Sequence, residues 1–212
     1  MIRRTFLAGA TASAATFAAG TTARAQRFNR NQAVLIDGIN RYINSITTMQ
    51  GGFVQQSADG RVAEGLFFMR RPGRLRFEYF DPFPTTVIAD GTWAAIQNRD
   101  LNKTDRLPLR STPLFILLRR NVDLGRDNAV QSVERQAGAA RVRVIDPDKP
   151  SDGSITMVFS TQPVELQQWI ITDPQGRSSV IRLTDVRQGM RIDPNKFLIE
   201  ENVRRQFQTN DR

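Results

Sequence analysis

Apolar residues recur at helical spacing near the start of the chain. In residues 32–50, one side of the helical projection is apolar and the other side is polar. The apolar positions are Leu35, Ile39, Tyr42, Ile43, Ile46 and Met49. A period of 3.6 residues with one apolar stripe predicts an amphipathic helix that packs on its own domain. Its polar side lacks the Lys and Arg richness of a helix that lies on a membrane surface.

The hydrophobic period changes to two after Gly51, which is typical of strands. Two pairs of alternating segments are each interrupted by turn residues, so the sequence predicts two β-hairpins. The segments and turns are 52–56, 57–60 and 61–69 for the first hairpin, and 85–89, Asp90-Gly91 and 92–97 for the second.

Residues 74–79 alternate strictly between charged and apolar side chains. This alternation predicts a strand with one apolar face, formed by Leu75, Phe77 and Tyr79. We expect the opposite face to lie in solvent, with the charged residues Arg74, Arg76 and Glu78.

The second half of the chain is also rich in short strands. After a predicted polar loop at 98–106, Ser111 or Thr112 can cap a short helix that has Pro113 in its first turn and runs to about Arg119. Five further strands are predicted, at 129–136, 140–146, 154–160, 165–173 and 178–186. Nine or ten strands without a βαβ rhythm predict an α+β fold, a curled antiparallel sheet or half-barrel with helices on one side.

The ends of the chain differ from its middle. Residues 1–25 contain no acid and end in the small-x-small site Ala23-Arg24-Ala25, which predicts a signal peptide. Arg3-Arg4 resembles a twin-arginine export signal, and general secretion is the alternative route. The mature protein would begin at Gln26 and, without a Cys there, carry no lipid anchor in the periplasm. We expect residues 26–200 to form one domain and the polar tail 201–212 to fray.

Composition narrows the possible functions. The 212 residues include no Cys and no His, which excludes disulfides, Cys/His zinc sites and histidine-dependent catalytic triads. The net charge is +9, and loss of the predicted signal peptide, with three arginines and no acid, leaves +6. A basic exported protein is more apt to meet an anionic membrane than nucleic acid. We find no nucleotide, metal or cofactor motif, so we expect a binding or carrier protein without cofactors.

An ordered series of motifs between residues 33 and 199 resembles the LolA family of periplasmic outer-membrane lipoprotein carrier proteins. The motifs are Gly52-Phe53-Val54-Gln55, residues 64–79 with Arg70-Arg71-Pro72-Gly73, Asp81-Pro82, residues 87–91, Leu107-Pro108-Leu109, Thr112-Pro113-Leu114, Leu117-Leu118, Gln168-Trp169 and residues 193–199.

The resemblance implies an eleven-stranded, incompletely closed barrel with helices as a lid over an apolar cavity. It implies a monomeric carrier without enzymatic activity. The carrier takes lipoproteins from an inner-membrane ABC transporter, shields their acyl chains and passes them to an outer-membrane receptor lipoprotein. The arginine before the motif's proline, here Arg71, is the implied lid latch, with Arg70 as the alternative. Phe77-Glu78 departs from the aromatic-His pair that many family members carry.

Ten residues are candidates for lining the acyl-chain cavity. Each of them taken alone is more typical of an ordinary core, and it is the resemblance that favours the cavity for the set. They are Phe53, Phe67, Phe77, Tyr79, Trp93, Leu114, Phe115, Leu118, Phe159 and Trp169. Met49, Met69 and Met157 would add adaptable apolar surface.

Three other functions remain open at the level of sequence. The same half-barrel could carry or sense another lipid or glycolipid. A glycosidase would need a pair of carboxylates, for which Glu64, Glu78 and Asp90 are the candidates. A nucleic-acid binder should show clustered basic residues interleaved with aromatic ones, and the export signal argues against it.

Overall fold

The computed structural model describes residues 28–126 and 129–199 of the chain. The predicted signal peptide, residues 1–25, and the whole predicted polar tail, residues 201–212, lie outside these residues. The described residues form one sheet, two α-helices and three short 3-10 turns. No helix in this part of the chain is long and apolar enough to cross a membrane.

Eleven strands make up the sheet of the described residues. In chain order, β1 to β11 are Thr48–Gln56, Val62–Arg70, Arg74–Tyr79, Thr85–Asp90, Trp93–Asn98, Lys103–Pro108, Val130–Gln136, Ala139–Val144, Ser154–Thr161, Val164–Thr172 and Ser178–Gln188. All neighbouring strands are antiparallel, and their order is β6-β5-β4-β3-β2-β1-β11-β10-β9-β8-β7. The sheet has two edges, β6 and β7, and does not close. This confirms the predicted α+β class with a curled, incompletely closed antiparallel sheet.

Both helices pack on one side of the sheet. We call this side the inner face and define it by Phe53, Phe67 and Phe77, which form one buried cluster with helix α1 (Arg30–Ser45) and helix α2 (Phe115–Leu118). A single core therefore lies between the sheet and its helices. The opposite side of the sheet is called the outer face.

Helix α1 begins at a capping box. Asn29 Oδ1 accepts a hydrogen bond from Gln32 N at 2.9 Å, and Asn29 N donates to Gln32 Oε1 at 3.1 Å. Each bond satisfies an amide that the first turn of a helix would otherwise leave without a partner. The residues that α1 buries are Leu35, Ile36, Ile39 and Ile43.

The end of α1 differs from the prediction. The helix stops at Ser45 and Ile46 is extended, although helical spacing predicted continuation to residue 50. Ile46 and Met49 are buried as expected, but Met49 is already in β1. The β-branched run Ile46-Thr47-Thr48 favours extended backbone, so the apolar spacing continues across a change of structure.

Strand β6 occupies the second half of the predicted polar loop at 98–106, whereas residues 99–102 form a turn as predicted. It pairs with β5 at the edge of the sheet and is largely exposed. Because both faces of this edge strand are exposed to solvent, it needs no alternation of apolar residues, and its sequence resembles that of a loop. The predicted short helix is present as α2, although it has only four residues.

The C-terminal part of the described chain covers the outer face. The 3-10 turn Pro194–Phe197 contacts β3 and β4. Phe197 and Ile192 are buried there, as is Ile88 of β4. The sheet is therefore covered on both sides along its first hairpins.

Candidate functional site

The inner face carries a continuous group of aromatic rings. Phe53 meets Phe77 edge-to-face with ring centroids 4.8 Å apart, and it meets Tyr79 in the same way at 5.0 Å. Phe77 in turn contacts Trp169 at 5.9 Å. These are favourable geometries for aromatic pairs and join β1 and β3 to β10. The rings therefore form one apolar surface beneath the helices.

Two glycines make room for these rings. A Cβ on Gly65 would lie 2.7 Å from Phe53 Cε1 and 2.0 Å from the Glu78 carbonyl oxygen. A Cβ on Gly51 would lie 3.0 Å from Phe67 Cε1 and 2.5 Å from the Thr184 carbonyl oxygen. Both positions face inward, so the small residue leaves the space that a neighbouring ring fills.

The far half of the inner face is equally apolar. Phe159 and Trp169 are fully buried, and Tyr42 of α1 meets Phe159 edge-to-face at 6.1 Å. The Trp169 Nε1 atom is buried without a hydrogen-bond partner. Met157 and Met69, also fully buried, add flexible side chains to the same cluster.

Nine of the ten cavity candidates belong to this cluster or pack against it. Six of them are buried: Phe53, Phe67, Phe77, Leu118, Phe159 and Trp169. Three are partly buried: Tyr79, Leu114 and Phe115. In this structure their side chains pack against one another and against the helices. Whether they line a cavity when cargo is bound stays a prediction.

Trp93 does not join the other nine. Its side chain is 43% exposed and lies on the outer face, because Ala94, its neighbour in β5, supplies the side chain that joins the core. Alternation along a strand sends adjacent residues to opposite faces. The aromatic character of Trp93 suggested an inner position that its place in β5 does not allow.

Arg71 connects both helices to the sheet. Its guanidinium donates hydrogen bonds to the carbonyl oxygens of Ile43 in the last turn of α1, of Arg119 at the end of α2 (2.6 Å) and of Arg120 (3.4 Å). Burial lowers the pKa of Arg71, and the nearby charge of Arg119 lowers it further. The group is thus a cation held by carbonyls rather than by a carboxylate.

Further contacts hold the same region together. The Asn44 side chain pairs with the backbone of Val122, donating to its carbonyl at 2.8 Å and accepting from its amide at 3.0 Å. Asn40 Oδ1 accepts from the Leu124 amide at 3.0 Å, and the Gly73 amide donates to the Leu118 carbonyl at 2.8 Å. Asn40 and Asn44 lie on the polar side of the predicted helix, and no local pattern indicated that they make these contacts. We call α1 and α2 the lid, which Asn40 and Asn44 of α1 fasten to residues 122–124.

The charged side of β3 is not solvated, contrary to the expectation for Arg76 and Glu78. Arg76 is 8% exposed, pairs with Glu78 at 2.6 Å and donates to the Lys196 carbonyl at 3.1 Å. Lys196 Nζ lies 3.1 Å from the same carboxylate and over the Phe68 ring. The C-terminal turn thus covers charges that local sequence places in solvent. Glu78 lies on the outer face, away from the lid.

The carboxylates considered for a glycosidase serve structural roles or stand in solvent. Glu78 is held by two cations, Asp90 caps the turn before β5 and Glu64 is exposed. Within residues 28–126 and 129–199, no three acidic side chains gather as they would around a metal ion. The arrangement is a buried apolar face covered by two helices that polar contacts fasten to the sheet.

Known proteins resemble this chain over most of its length. A family model described as outer membrane lipoprotein carrier protein LolA matches residues 44–200. An outer-membrane lipoprotein carrier protein of Alkalilimnicola ehrlichii is 26% identical over 175 residues, covering 78% of this chain and 79% of that protein. The protein of that name from Chromohalobacter salexigens is 27% identical over 169 residues, covering 74% and 79%.

A solved structure of a LolA superfamily protein from Nitrosomonas europaea aligns with a TM-score of 0.45 at 10% identity, covering 78% of this chain and 98% of that one. The stretch that the family model matches runs from the last turn of α1 through the whole sheet and the C-terminal turn. It includes Arg71 and all of the inner-face rings described above. This chain therefore belongs to the outer membrane lipoprotein carrier protein LolA family.

Proposed function

We propose that the mature protein carries lipoproteins across the periplasm by enclosing their acyl chains between the inner face and the lid. The observation that supports this most directly is the position of Arg71, which fastens both helices over an apolar face. A small number of polar contacts of this kind can hold helices that must part from the sheet when cargo enters.

The energetics of acyl chains require an enclosed site. Each methylene removed from water is worth about 0.8 kcal/mol, so one chain of about 15 such groups costs on the order of 10 kcal/mol when exposed. A lipoprotein with two or three chains cannot be held in solution by a surface patch. The inner face, with Phe53, Phe67, Phe77 and Trp169, offers apolar area of the required kind.

Loading would require the lid to move. The rings fill the space beneath the helices in the present structure, so acyl chains have to displace α1 and α2 from the sheet. Hydrogen bonds are worth about 1 kcal/mol each in net terms. The few bonds of Arg71, Asn40 and Asn44 are thus strong enough to favour the closed state and weak enough for cargo to open it.

The proposed pathway follows from the family and from the predicted export signal. The protein would reach the periplasm with Gln26 as its first residue, accept lipoproteins from an inner-membrane ABC transporter as a monomer, and deliver them to an outer-membrane receptor. It would act without chemistry of its own. N-terminal sequencing of protein from fractionated cells tests the location, and a membrane-bound form that retains residues 1–25 would contradict it.

Uptake of an apolar fluorescent probe tests the binding surface. We expect the mature protein to bind the probe and purified lipoprotein to displace it. Phe77→Glu should abolish uptake, because an unpaired carboxylate would enter an apolar site. Val62→Glu is the matched control, since Val62 is 53% exposed in the adjacent strand β2. Circular dichroism establishes that each variant is folded. Normal uptake by a folded Phe77→Glu would remove Phe77 from the proposed site.

Mass spectrometry of the bound material distinguishes lipoproteins from other lipids. The protein should be isolated from the periplasm without detergent and its bound molecules extracted. Acylated N-terminal peptides are the expected result. A glycolipid or phospholipid in their place would favour the alternative carrier or sensor on the same fold.

A further inference from the structure

A cavity lies outside the core, where the lid meets two turns of the sheet. Its volume is about 540 Å³, and it is formed by the turn between β2 and β3, the turn between β4 and β5, and α2. Six arginines line it: Arg70, Arg71, Arg74, Arg110, Arg119 and Arg120. We call this cavity the arginine cleft. Nothing in the proposed handling of acyl chains requires so many charges at one place.

The sheet itself brings these charges together. Arg70 and Arg74 are directly opposite each other in the β2–β3 pair, and Arg74 is opposite Asp90 in the β3–β4 pair. Like charges in directly opposed positions destabilise a strand pair. The two turns also touch, since a Cβ on Gly73 would lie 2.7 Å from Gly91 Cα. The fold therefore keeps an unfavourable concentration of charge at this end.

The protein supplies little negative charge to balance the arginine cleft. Asp90 is the one acid among its lining residues, and its Oδ1 accepts from the amides of Thr92 and Trp93 at 2.8 Å each. Arg70, Arg74 and Arg120 make no ion pair with a carboxylate of the described ranges. An external anion would relieve the repulsion among these groups.

The remaining walls of the cleft are apolar. Phe115 and Leu118 of α2 line it, and Arg110 lies over the Phe115 ring at 5.5 Å. An occupant with a strongly charged head and an apolar body would satisfy both kinds of wall. Arginine forks match phosphate oxygens in a bidentate manner, and several forks can share one phosphate. A lipid with a phosphate headgroup has both the charged head and the apolar body, whereas an acidic peptide lacks the apolar body.

We propose that the arginine cleft binds the phosphate headgroup of an anionic lipid. The binding does not depend on transport of lipoproteins, because the cleft opens outside the core. The headgroup would lie among Arg74, Arg110 and Arg120, with its glycerol and the start of its chains against Phe115 and Leu118.

Calorimetric titration of the full mature chain tests this site. The probes are dihexanoyl phosphatidylglycerol, dihexanoyl phosphatidylcholine, inorganic phosphate and a hexaglutamate peptide, each at low and moderate salt. Both short-chain lipids can be used as monomers. The cleft variant is Arg74→Gln/Arg110→Gln/Arg120→Gln, which leaves Arg71 in place. The control variant is Arg135→Gln/Arg141→Gln/Arg143→Gln, which removes the same charge from exposed positions on β7 and β8.

Phosphatidylglycerol should bind most tightly. Its dissociation constant should rise at least tenfold in the cleft variant and change less than twofold in the control variant. Phosphatidylcholine should bind more weakly because its choline is repelled. Equal weakening in both variants would show non-specific charge attraction and overturn the site. If inorganic phosphate binds as tightly as the lipid, the lipid assignment is overturned. If hexaglutamate binds more tightly than the lipid and its binding depends on the cleft arginines, the cleft belongs to an acidic protein partner instead. Probe uptake by the cleft variant, measured separately, keeps this result distinct from failure of the carrier proposal.

Discussion

At the scale of single residues, Arg71 has the contacts that a latch requires. We expect Arg71→Leu to accept lipoprotein, or to hold it more tightly, and to transfer it poorly to the outer membrane. Loss of two or three hydrogen bonds at about 1 kcal/mol each shifts the balance between closed and open states by roughly thirty-fold to 150-fold. Arg71→Lys should be intermediate, because an ammonium cannot reproduce the planar fork. Release of lipoprotein from purified complexes is the measurement.

Arg70→Leu is the control for that prediction. Arg70 precedes Arg71, lines the arginine cleft and makes no hydrogen bond to the lid in the described structure. Its loss should leave release of lipoprotein unchanged. Defective release by Arg70→Leu together with normal release by Arg71→Leu would mean that the neighbouring arginine is the latch.

Tyr79 predicts a pH dependence of stability. Burial raises its pKa to about 12, above the value of 10.0 for an exposed tyrosine. Below pH 10 the phenol is neutral in both the folded and the unfolded chain, so its full contribution to stability is present. Between pH 10 and 12 only the unfolded chain ionises, and the free energy of unfolding should fall by about 2 to 3 kcal/mol.

Denaturant unfolding at pH 9 and pH 11.5 measures this loss. Tyr79→Phe removes the ionisable group and should make the decline with pH smaller. Burial also raises the pKa of Tyr42, so part of the decline should remain in that variant. An identical decline in wild type and Tyr79→Phe would show that Tyr79 is not buried in solution.

At the scale of elements, two glycines predict opposite effects of the same substitution. Gly65→Ala would place a methyl group 2.0 Å from the Glu78 carbonyl and 2.7 Å from the Phe53 ring, so β2 and β3 have to separate. We expect the free energy of unfolding to fall by about 3 kcal/mol or more, as in other overpacked cores.

Gly38 lies within α1, and the nearest atom to a Cβ at this position would be 3.8 Å away. Gly38→Ala should therefore stabilise by about 0.5 to 1 kcal/mol through helix propensity. Unfolding midpoints of both variants provide the test, and a stable Gly65→Ala would contradict the close approach of β2 and β3.

The elements also show what sequence can and cannot predict here. Strands with one buried face were found from their period of two, and the inward direction of Leu75, Phe77 and Tyr79 is observed as predicted. Strand β6 was missed because an exposed edge strand carries no such pattern. Arg76 was misplaced because the Pro194–Phe197 turn, more than a hundred residues later, covers it. Local patterns contain no information on contacts of that range.

The contacts of the lid likewise could not be predicted from local sequence patterns. The family motif indicated Arg71, but no local signal indicated that Asn40 and Asn44 bind the backbone at Val122 and Leu124. A polar residue on a helix usually faces solvent, and these two became lid contacts only through the path of residues 119–124. The aromatic residues were identified as a set, although Trp93 shows that aromatic character alone does not decide a face.

At the scale of the whole molecule, the sheet and the lid differ in how they are held. The central strands β2, β1, β11 and β10 are joined by long antiparallel ladders, with one register shift between β1 and β11. Among the described residues, the lid is held by side-chain hydrogen bonds and by one backbone hydrogen bond, from the Gly73 amide to the Leu118 carbonyl. Local opening has the lowest free energy where few such bonds must break. Cargo binding should therefore open the lid and leave the sheet intact.

Hydrogen exchange of backbone amides tests this division. The amides of Gly73, Val122 and Leu124 should exchange faster than those within β1 and β2, because each depends on the lid staying closed. Addition of the apolar probe should raise exchange at these three amides at least tenfold, as expected when a displaced lid exposes them. Protection in β1 and β2 should stay the same.

Arg71→Leu should raise exchange at the amides of Gly73, Val122 and Leu124 without any probe, since it removes the bonds to both helices. If the probe binds while these amides stay protected, or if β1 and β2 lose protection with them, the acyl-chain site does not lie beneath a separately opening lid.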